Sequence, residues 1–160
     1  MTIDTRELRN VLGCFATGVT VITTRDQSGE VFGITANAFT SVSLTPPLVL
    51  VCIDKNANCY FCFEESGAFA VNILGRQQED ISRKFATKGI DKFQDVAWRP
   101  GTRGVPILEG AVACVECQIV KSYDGGDHAI YLGEVVAAAL SGGEPLLFFK
   151  GKYHVLRDSS

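Results

Sequence analysis

The sequence predicts a mainly β (α+β) fold, an antiparallel barrel that is closed or nearly closed and carries a few short helices. Seven or eight segments have the composition of strands, whereas only about three short ones have that of helices. Strands and helices do not alternate in the βαβ order of a parallel sheet, and no segment recurs at a fixed period. Because 160 residues suit one domain, we expect residues 1–160 to form a single domain.

A short amphipathic helix is predicted at the start of the chain. Asp4 and Glu7 have the spacing of a capping box, and apolar side chains follow at helical intervals from Leu8 to Phe15. Because these apolar side chains share one face, we expect that face to pack inward.

The predicted strands are rich in β-branched or apolar residues and are bounded by turn-forming residues. In chain order they are residues 19–24, 31–34, 48–53, 69–73, 111–123, 129–140, 146–149 and 153–156. The turn residues 26–29 predict that the first two strands form a β-hairpin. Further short helices are expected at residues 58–65 and 77–85, where Ile81 and Phe85 lie four apart. Residues 98–106, which are rich in Gly, Pro and Arg, are expected to form a loop.

Composition and charge exclude several classes of function. Apolar residues make up 46% of the chain, charged residues 21%, and the net charge is −3, so nothing favours binding to nucleic acid or an anionic membrane. No apolar run approaches the ~20 residues of a membrane-spanning helix. The charges of Asp4, Arg6, Glu7 and Arg9 do not resemble a signal peptide, so a cytoplasmic protein is expected.

Two C-x-x-C pairs raise the question of a metal site. Cys59 with Cys62, and Cys114 with Cys117, nominally match a four-cysteine zinc site. Cys114 and Cys117 lie in a strand pattern, however, where an odd offset points two side chains to opposite faces. Reduced, buried cysteines and no metal are therefore our preferred interpretation. A zinc-binding interaction module, or a thioredoxin-like pair at Cys59 and Cys62, remains an alternative.

Residues 33–43 form the segment with the clearest signs of ligand binding. Small and hydroxyl-bearing side chains crowd a stretch that leaves a strand, and it contains no charge. Hydroxyl, amide and backbone groups there could bind a planar polar heterocycle without a bulky side chain in the way. A simple Ser/Thr-rich loop is the alternative. The phosphate-binding motif of a Rossmann fold and the Walker A sequence are both missing from the chain.

Several ordered segments together carry a resemblance to a known family. They are residues 15–23, 33–43, 46–49, 69–74 and 126–128. With these segments the chain resembles the short-chain NAD(P)H:flavin oxidoreductases, which are the flavin reductase components of two-component flavin-dependent monooxygenases. The resemblance extends from about residue 8 to residue 153.

This resemblance implies a split β-barrel of Greek-key, FMN-binding type that forms a homodimer and binds flavin without a covalent bond. It also implies the cofactors, FMN or FAD together with NADH or NADPH, and hydride transfer to flavin N5. The reduced flavin would then reach a partner monooxygenase. Because the cofactors carry the chemistry, no catalytic side chain is expected. A non-catalytic flavin-binding or electron-carrier protein on the same barrel is the alternative function.

The residues that the resemblance implies for flavin binding fall on three neighbouring segments. They are Thr35, Ala36, Asn37, Ser41, Val42, Ser43, Cys52, Ile53, Asp54 and Lys55. The first three would line the isoalloxazine ring, the next three would continue toward the ribityl chain, and the last four would pass the flavin on the next strand.

The implied phosphate and nicotinamide contacts lie elsewhere. Lys55 and Arg83 would meet the flavin phosphate through charge-assisted hydrogen bonds. Many relatives carry Ser or Thr after the Asp-Lys pair, whereas this chain has residues 56–59 as Asn-Ala-Asn-Cys. The nicotinamide would bind beside a turn made of Gly126, Asp127 and His128.

Overall fold

The computed structural model describes residues 3–157, which form three helices and twelve strands. The helices are α1 (Thr5–Leu12), α2 (Tyr60–Ser66) and α3 (Glu79–Ala86). The strands are β1 (Thr17–Gly18), β2 (Thr20–Arg25), β3 (Val31–Ala36), β4 (Phe39–Leu44), β5 (Pro47–Asp54), β6 (Ala68–Ile73), β7 (Trp98–Pro100), β8 (Pro106–Leu108), β9 (Ala113–Gly125), β10 (His128–Leu140), β11 (Leu146–Phe149) and β12 (Lys152–Val155). The prediction of a mainly β fold with a few helices is confirmed.

Seven strands form one antiparallel sheet in the order β3-β2-β6-β9-β10-β5-β4. Its two edge strands, β3 and β4, are consecutive in the chain and joined only by Asn37 and Ala38. The sheet must therefore curl until its edges meet at this link. The backbone N–H of Cys52 donates to the carbonyl of Ala38 at 3.1 Å, which holds the link against β5. Within residues 3–157, no ladder of hydrogen bonds joins β3 to β4.

The predicted hairpin of β2 and β3 is confirmed, and its side chains explain why both faces of β2 are buried. Ile22 packs into a core cluster with Val51, Phe69 and other residues of the curled sheet. Its neighbour Val21 points the other way, into a second cluster with Phe85 of α3. This alternation follows from the period of two residues in a strand.

The two longest strands, β9 and β10, form a hairpin with a tighter turn than the sequence suggests. Only Gly126 and Asp127 separate them, and Gly126 has a φ of 80°, which favours glycine. On its other side β10 pairs with β5, so that His128 lies opposite Asp54. Two segments far apart in the chain thus meet at one end of the sheet.

Helix α1 begins as predicted but does not pack as predicted. The carboxylate of Asp4 accepts a hydrogen bond from the backbone N–H of Arg6 at 2.7 Å, which is an N-terminal cap. None of the helix's residues is buried, however, and Phe15 beyond its end is 78% exposed. The expectation that the apolar face packs inward is wrong, because no element within residues 3–157 covers that face.

Residues 98–106 differ from the predicted loop. Trp98 pairs with Leu108 and Pro100 with Pro106, so the ends of the segment form a short β7–β8 hairpin. The sequence does not reveal this hairpin because its strands contain only three residues each. Among the helices of residues 3–157, none has the length and apolar character to span a membrane.

The strand cysteines face opposite ways, as predicted. Cys117 belongs to the cluster around Phe69 and Tyr131, whereas Cys114 packs with Ala70 and Ile107 on the other side of β9. Within the described part of the chain, no group of three or more His, Cys, Asp or Glu side chains could hold a metal ion.

Candidate functional site

A groove of about 660 Å³ opens between β3 and the segment that follows β5. One wall is formed by residues 30–34, another by residues 54 and 57–59, and a third by residues 86 and 88–93. The start of the segment 33–43 and the residues that follow β5 therefore meet around this groove. The volume lies within the range of small-molecule and cofactor sites.

The groove combines apolar walls with a few charged groups. Ile34, Phe93 and Trp98 contribute apolar surface, and the rings of Phe93 and Trp98 pack edge to face with centroids 5.9 Å apart. Asp54 and Lys88 border the same space. Such a mixture of apolar surface and a few polar groups is typical of sites that bind a planar aromatic ligand.

Lys92 fixes one wall of the groove to the edge of the sheet. Its ammonium donates to the carbonyl of Phe85 at 2.7 Å and to the carbonyl of Gly33 at 3.1 Å. Burial lowers the pKa of Lys92 from its ordinary value. Because β3 is an edge strand, the lysine satisfies a carbonyl that no neighbouring strand reaches.

Gly33 itself is required by a close approach. A Cβ atom at this position would lie 2.6 Å from the ring of Phe85, closer than real side-chain contacts. The glycine therefore lets α3 pack tightly against β3, and α3 leads into the third wall of the groove.

The end of β5 meets the turn between β9 and β10. Beyond the Asp54–His128 pair, the backbone N–H of Lys55 donates to the carbonyl of Asp127 at 3.0 Å. The ammonium of Lys55 forms an ion pair with Asp124 and donates to the carbonyl of Gly126 at 2.7 Å. The structure thus brings together five of the residues named from the sequence, namely Asp54, Lys55, Gly126, Asp127 and His128.

The charges at this end of the sheet stabilise one another. A hydrogen bond from the backbone N–H of Asn56, at 2.8 Å, lowers the pKa of Asp54. The hydrogen bond with Asp124 raises the pKa of Lys55, and the same contact lowers the pKa of Asp124. Nδ1 of His128 lies 2.7 Å from a carboxylate oxygen of Asp127. Lys55 is therefore already paired within the protein.

The flavin residues implied on β3 and in the link after it are Thr35, Ala36 and Asn37, and they differ in the polar groups they leave free for a ligand. The hydroxyl of Thr35 donates to the carbonyl of Ser82 at 2.6 Å, so it already has an acceptor. Ala36 packs against the core, and its carbonyl accepts from the hydroxyl of Thr20 at 2.6 Å. Asn37, in contrast, is exposed at the link between the two edge strands.

Residues on β4 and in the middle of β5 lie farther from the groove. Ser41 and Ser43 pair with Val49 and Leu48, on the half of β5 remote from Asp54, and the register shifts between them at Val42. Of the flavin residues named from sequence, only Asp54 lines the groove.

Two residues named on β5 are limited by their burial. Ile53 is 1% exposed, so its side chain belongs to the core and only its backbone can meet a ligand. Cys52 is half-buried, and this burial raises the pKa of its thiol.

Arg83 lies outside the groove and is engaged by α3 and β12. Its guanidinium forms hydrogen bonds to Glu79 at 2.7 and 3.0 Å, and it stands 4.8 Å from the ring centroid of Tyr153. The hydrogen bond with Glu79 raises the pKa of Arg83. Tyr153 in turn lies 2.7 Å from the hydroxyl of Ser82.

Sequence reasoning missed the third wall of the groove. Lys88, Lys92 and Phe93 lie in a segment without helical or strand periodicity, and a single sequence contains no pattern that marks them as site residues. Lys88 lines the groove, and its charge contributes to the lowered pKa of Asp54. Among residues 3–157 no acidic side chain forms an ion pair with Lys88.

Comparisons with known proteins agree on one family. The family model described as "Flavin reductase like domain" matches residues 12–157. A protein of Rhizobium meliloti (strain 1021) described as "Probable flavin reductase" is 44% identical over 154 residues, which cover 96% of this chain and 50% of that protein. The chain therefore spans about half the length of this relative.

Other relatives are covered over most of their length. The reductase subunit HsaB of a flavin-dependent monooxygenase from Mycobacterium tuberculosis (strain ATCC 25618 / H37Rv) is 42% identical, with 94% of this chain and 82% of that protein covered. An NADH-dependent FAD reductase of Streptomyces globisporus is 45% identical, with 94% and 85% covered. The solved structure of flavin reductase PheA2 has a TM-score of 0.89 at 44% identity, with 98% of this chain and all of that chain covered.

Proposed function

The chain belongs to the flavin reductase like domain family, and on this premise we propose that it is an NAD(P)H:flavin oxidoreductase. It would reduce free FMN or FAD with NADH or NADPH and supply the reduced flavin to a partner monooxygenase. The observation that carries the proposal is the meeting of three segments at one place: the groove beside β3, the Asp54 end of β5 and the turn that bears His128. A two-substrate reductase needs adjacent sites of this kind for two planar rings.

The residues of the groove fit a flavin. The apolar surfaces of Ile34 and Phe93 can pack against an aromatic ring system, and the exposed amide of Asn37 at the nearby link can donate and accept hydrogen bonds. When bound, flavin supplies the N5 atom that accepts hydride from the reduced nicotinamide. The protein's own part is to hold the ring, exclude water from it and orient the donor.

Hydrogen bonds within the protein limit what Thr35 and Ala36 can offer a flavin ring. Because the hydroxyl of Thr35 already donates to the carbonyl of Ser82 and Ala36 packs against the core, both residues would contact the ring through their backbone and their exposed surface. Ser41, Val42 and Ser43 would extend the site along β4 toward the ribityl chain. Cys52 and Ile53 would contribute the strand edge beside the ring.

Lys88 is a better candidate for the flavin phosphate than the two cations named from sequence. Lys55 is paired with Asp124 and Arg83 with Glu79, whereas Lys88 borders the groove without an ion-pair partner among residues 3–157. A cation with no carboxylate partner can form charge-assisted hydrogen bonds to phosphate without breaking an existing pair. Arg83 remains a second candidate if it leaves Glu79.

The nicotinamide would bind beside Gly126, Asp127 and His128. His128 is half-buried, and its pairing with Asp54 puts it next to a residue that lines the groove. An imidazole there can hydrogen-bond the carboxamide or a pyrophosphate oxygen. Its role is orientation of the hydride donor.

The same family membership supports four statements about the whole chain. The curled seven-stranded sheet would be a split β-barrel of Greek-key type, and residues 1–160 would form one domain. The chain would act as a homodimer, for which the uncovered apolar side chains of α1 offer a surface. The partner monooxygenase would receive the product as diffusible reduced flavin.

Anaerobic spectroscopy tests the function directly. Purified protein is mixed with excess FMN or FAD and either NADH or NADPH, and the flavin absorbance is followed. We expect the flavin absorbance to bleach rapidly with at least one of the four pairs of flavin and nicotinamide. The His128→Ala variant should bleach the flavin more slowly. No bleaching with any pair would overturn the proposal. Tight flavin binding without nicotinamide oxidation would instead identify a flavin carrier.

A further inference from the structure

We propose that Lys55 is a positioning residue that ties the Gly126–Asp127 turn to the end of β5 and so fixes His128 beside the flavin site. The inference rests on the proposed function for its consequence in catalysis, but the attachment itself is independent of it. It also changes the role of Lys55, which the family resemblance suggests as a phosphate ligand.

Three contacts of one residue define the attachment. The ammonium of Lys55 pairs with the carboxylate of Asp124 on β9 and donates to the carbonyl of Gly126 in the turn. Its backbone N–H donates to the carbonyl of Asp127. Lys55 therefore contacts the end of β9 and both turn residues, one residue beyond the Asp54–His128 pair that ends the β5–β10 ladder.

The turn needs such an attachment because burial does not hold it. Residues 121–127 are all exposed, and a Cβ atom on Gly126 would meet nothing within 4 Å. A hairpin tip without packed side chains opens readily even where the strands behind it are stable. Contacts from β5 thus fix the position of His128 relative to the strand that borders the groove.

The same contacts leave Lys55 poorly suited to bind phosphate. An ammonium has three donors, and two of those on Lys55 are already directed at Asp124 and Gly126. A phosphate at this position would lie beside the carboxylate of Asp124, and like charges in close contact repel one another. Lys55 would first have to release Asp124.

Hydrogen exchange of the backbone amides tests the attachment without any cofactor. The variants are Lys55→Met, Asp124→Asn and the double substitution, and Glu144→Gln is the matched control because it breaks another exposed ion pair, with Arg76. We expect residues 125–129 to exchange about three- to tenfold faster in both single variants, as fits the loss of a charge-assisted contact. Amide exchange in the double variant should be only slightly faster than in either single variant, because each single substitution already removes the Lys55–Asp124 ion pair. Unchanged exchange in Lys55→Met would overturn the proposal.

Binding and kinetics distinguish a positioning residue from a phosphate ligand. Dissociation constants are measured by flavin fluorescence for FMN and for riboflavin, which lacks the phosphate. We expect Lys55→Met to raise the KM for the nicotinamide by about three- to tenfold, with kcat at saturation changed by less than about twofold. Asp124→Asn should give the same pattern, and the ratio of FMN to riboflavin affinity should stay constant.

The opposite pattern would overturn the inference. A loss of FMN affinity in Lys55→Met that riboflavin does not share, with unchanged or tighter FMN binding in Asp124→Asn, would make Lys55 a phosphate ligand. If the unmodified protein reduces no flavin, the proposed function fails, and hydrogen exchange alone decides the attachment. If the unmodified protein reduces flavin but Lys55→Met leaves amide exchange at the turn unchanged, the proposed function stands and only the attachment is wrong.

Discussion

At the scale of single residues, the cysteines show how burial controls chemistry. Cys59, Cys62, Cys114 and Cys117 are buried, whereas Cys14 is exposed. Burial raises the pKa of the Cys117 thiol to about 12 and that of Cys62 to about 11. The thiolate is the reactive form, so these side chains act as apolar core residues rather than as redox groups.

Alkylation followed by mass spectrometry checks this difference. At pH 8.5 we expect iodoacetamide to modify Cys14 rapidly and to leave Cys62 and Cys117 unmodified, while denaturant exposes all six thiols. Cys14→Ser is the control and should remove the rapid phase. Modification of Cys117 in the folded protein at the rate of Cys14 would contradict the assignment.

The same pKa shifts set a direction for stability at alkaline pH. In the unfolded chain these thiols ionise around pH 9, whereas in the folded protein they stay protonated to about 11 or 12. Between those values the unfolded state holds fewer protons, so the free energy of unfolding falls as pH rises. Their contribution is fully present below pH 9.

At the scale of elements, the packing of β3 against α3 depends on the absence of a side chain at Gly33. We expect Gly33→Ala to lower the free energy of unfolding by about 1–3 kcal/mol, because the added methyl group would overlap the Phe85 ring. Urea denaturation measures the change.

Gly18→Ala is the matched control for this substitution. Gly18 also lies in a strand, but a Cβ atom there meets nothing within 4 Å. Its effect should stay within about 0.5 kcal/mol. Equal destabilisation by the two substitutions would show that strand conformation, and not contact with Phe85, is responsible.

Local patterns in the sequence predicted most of these elements. The cap at Asp4 and the β2–β3 hairpin are confirmed because each depends on neighbouring residues only. The opposite faces of Cys114 and Cys117 follow from strand periodicity in the same way. Features with a local cause are therefore accessible from a single sequence.

Features that depend on distant partners were not accessible. The resemblance implies Lys55 as a cation of the site, but its pairing with Asp124, 69 residues along the chain, depends on the folded structure. Lys92 holds the third wall of the groove through two carbonyls, and no residue type signals such a contact. The family resemblance implies site residues at the end of β5 and in the β9–β10 turn, which meet in the structure, whereas the third wall of the groove is visible only in the folded chain.

At the scale of the whole molecule, the exposed apolar face of α1 is the feature that supports the proposed homodimer most directly. Val11 and Leu12 are each 63% exposed and Phe15 is 78% exposed, all on or next to one short helix. Apolar side chains clustered in this way mark interaction surfaces. A second copy of the chain is the partner that the proposed homodimer supplies.

Sedimentation equilibrium tests this assembly. We expect the unmodified chain to sediment as a dimer and Phe15→Asp to weaken its association by about tenfold or more, because a charge would be buried at the interface. Phe61→Asp is the control, since Phe61 on α2 is 54% exposed on a different element. A monomer at all concentrations of the unmodified chain would contradict the dimer.

The two-residue link between β3 and β4 has a consequence for how the molecule is made. Although β3 and β4 are neighbours in the chain, the hydrogen-bonded ladders within residues 3–157 connect β4 and β5 to the rest of the sheet only through β10. Pairings so distant in sequence form slowly and late in folding. During synthesis on the ribosome, β5, which ends at Asp54, therefore cannot pair with β10 until residues 128–134 have been translated.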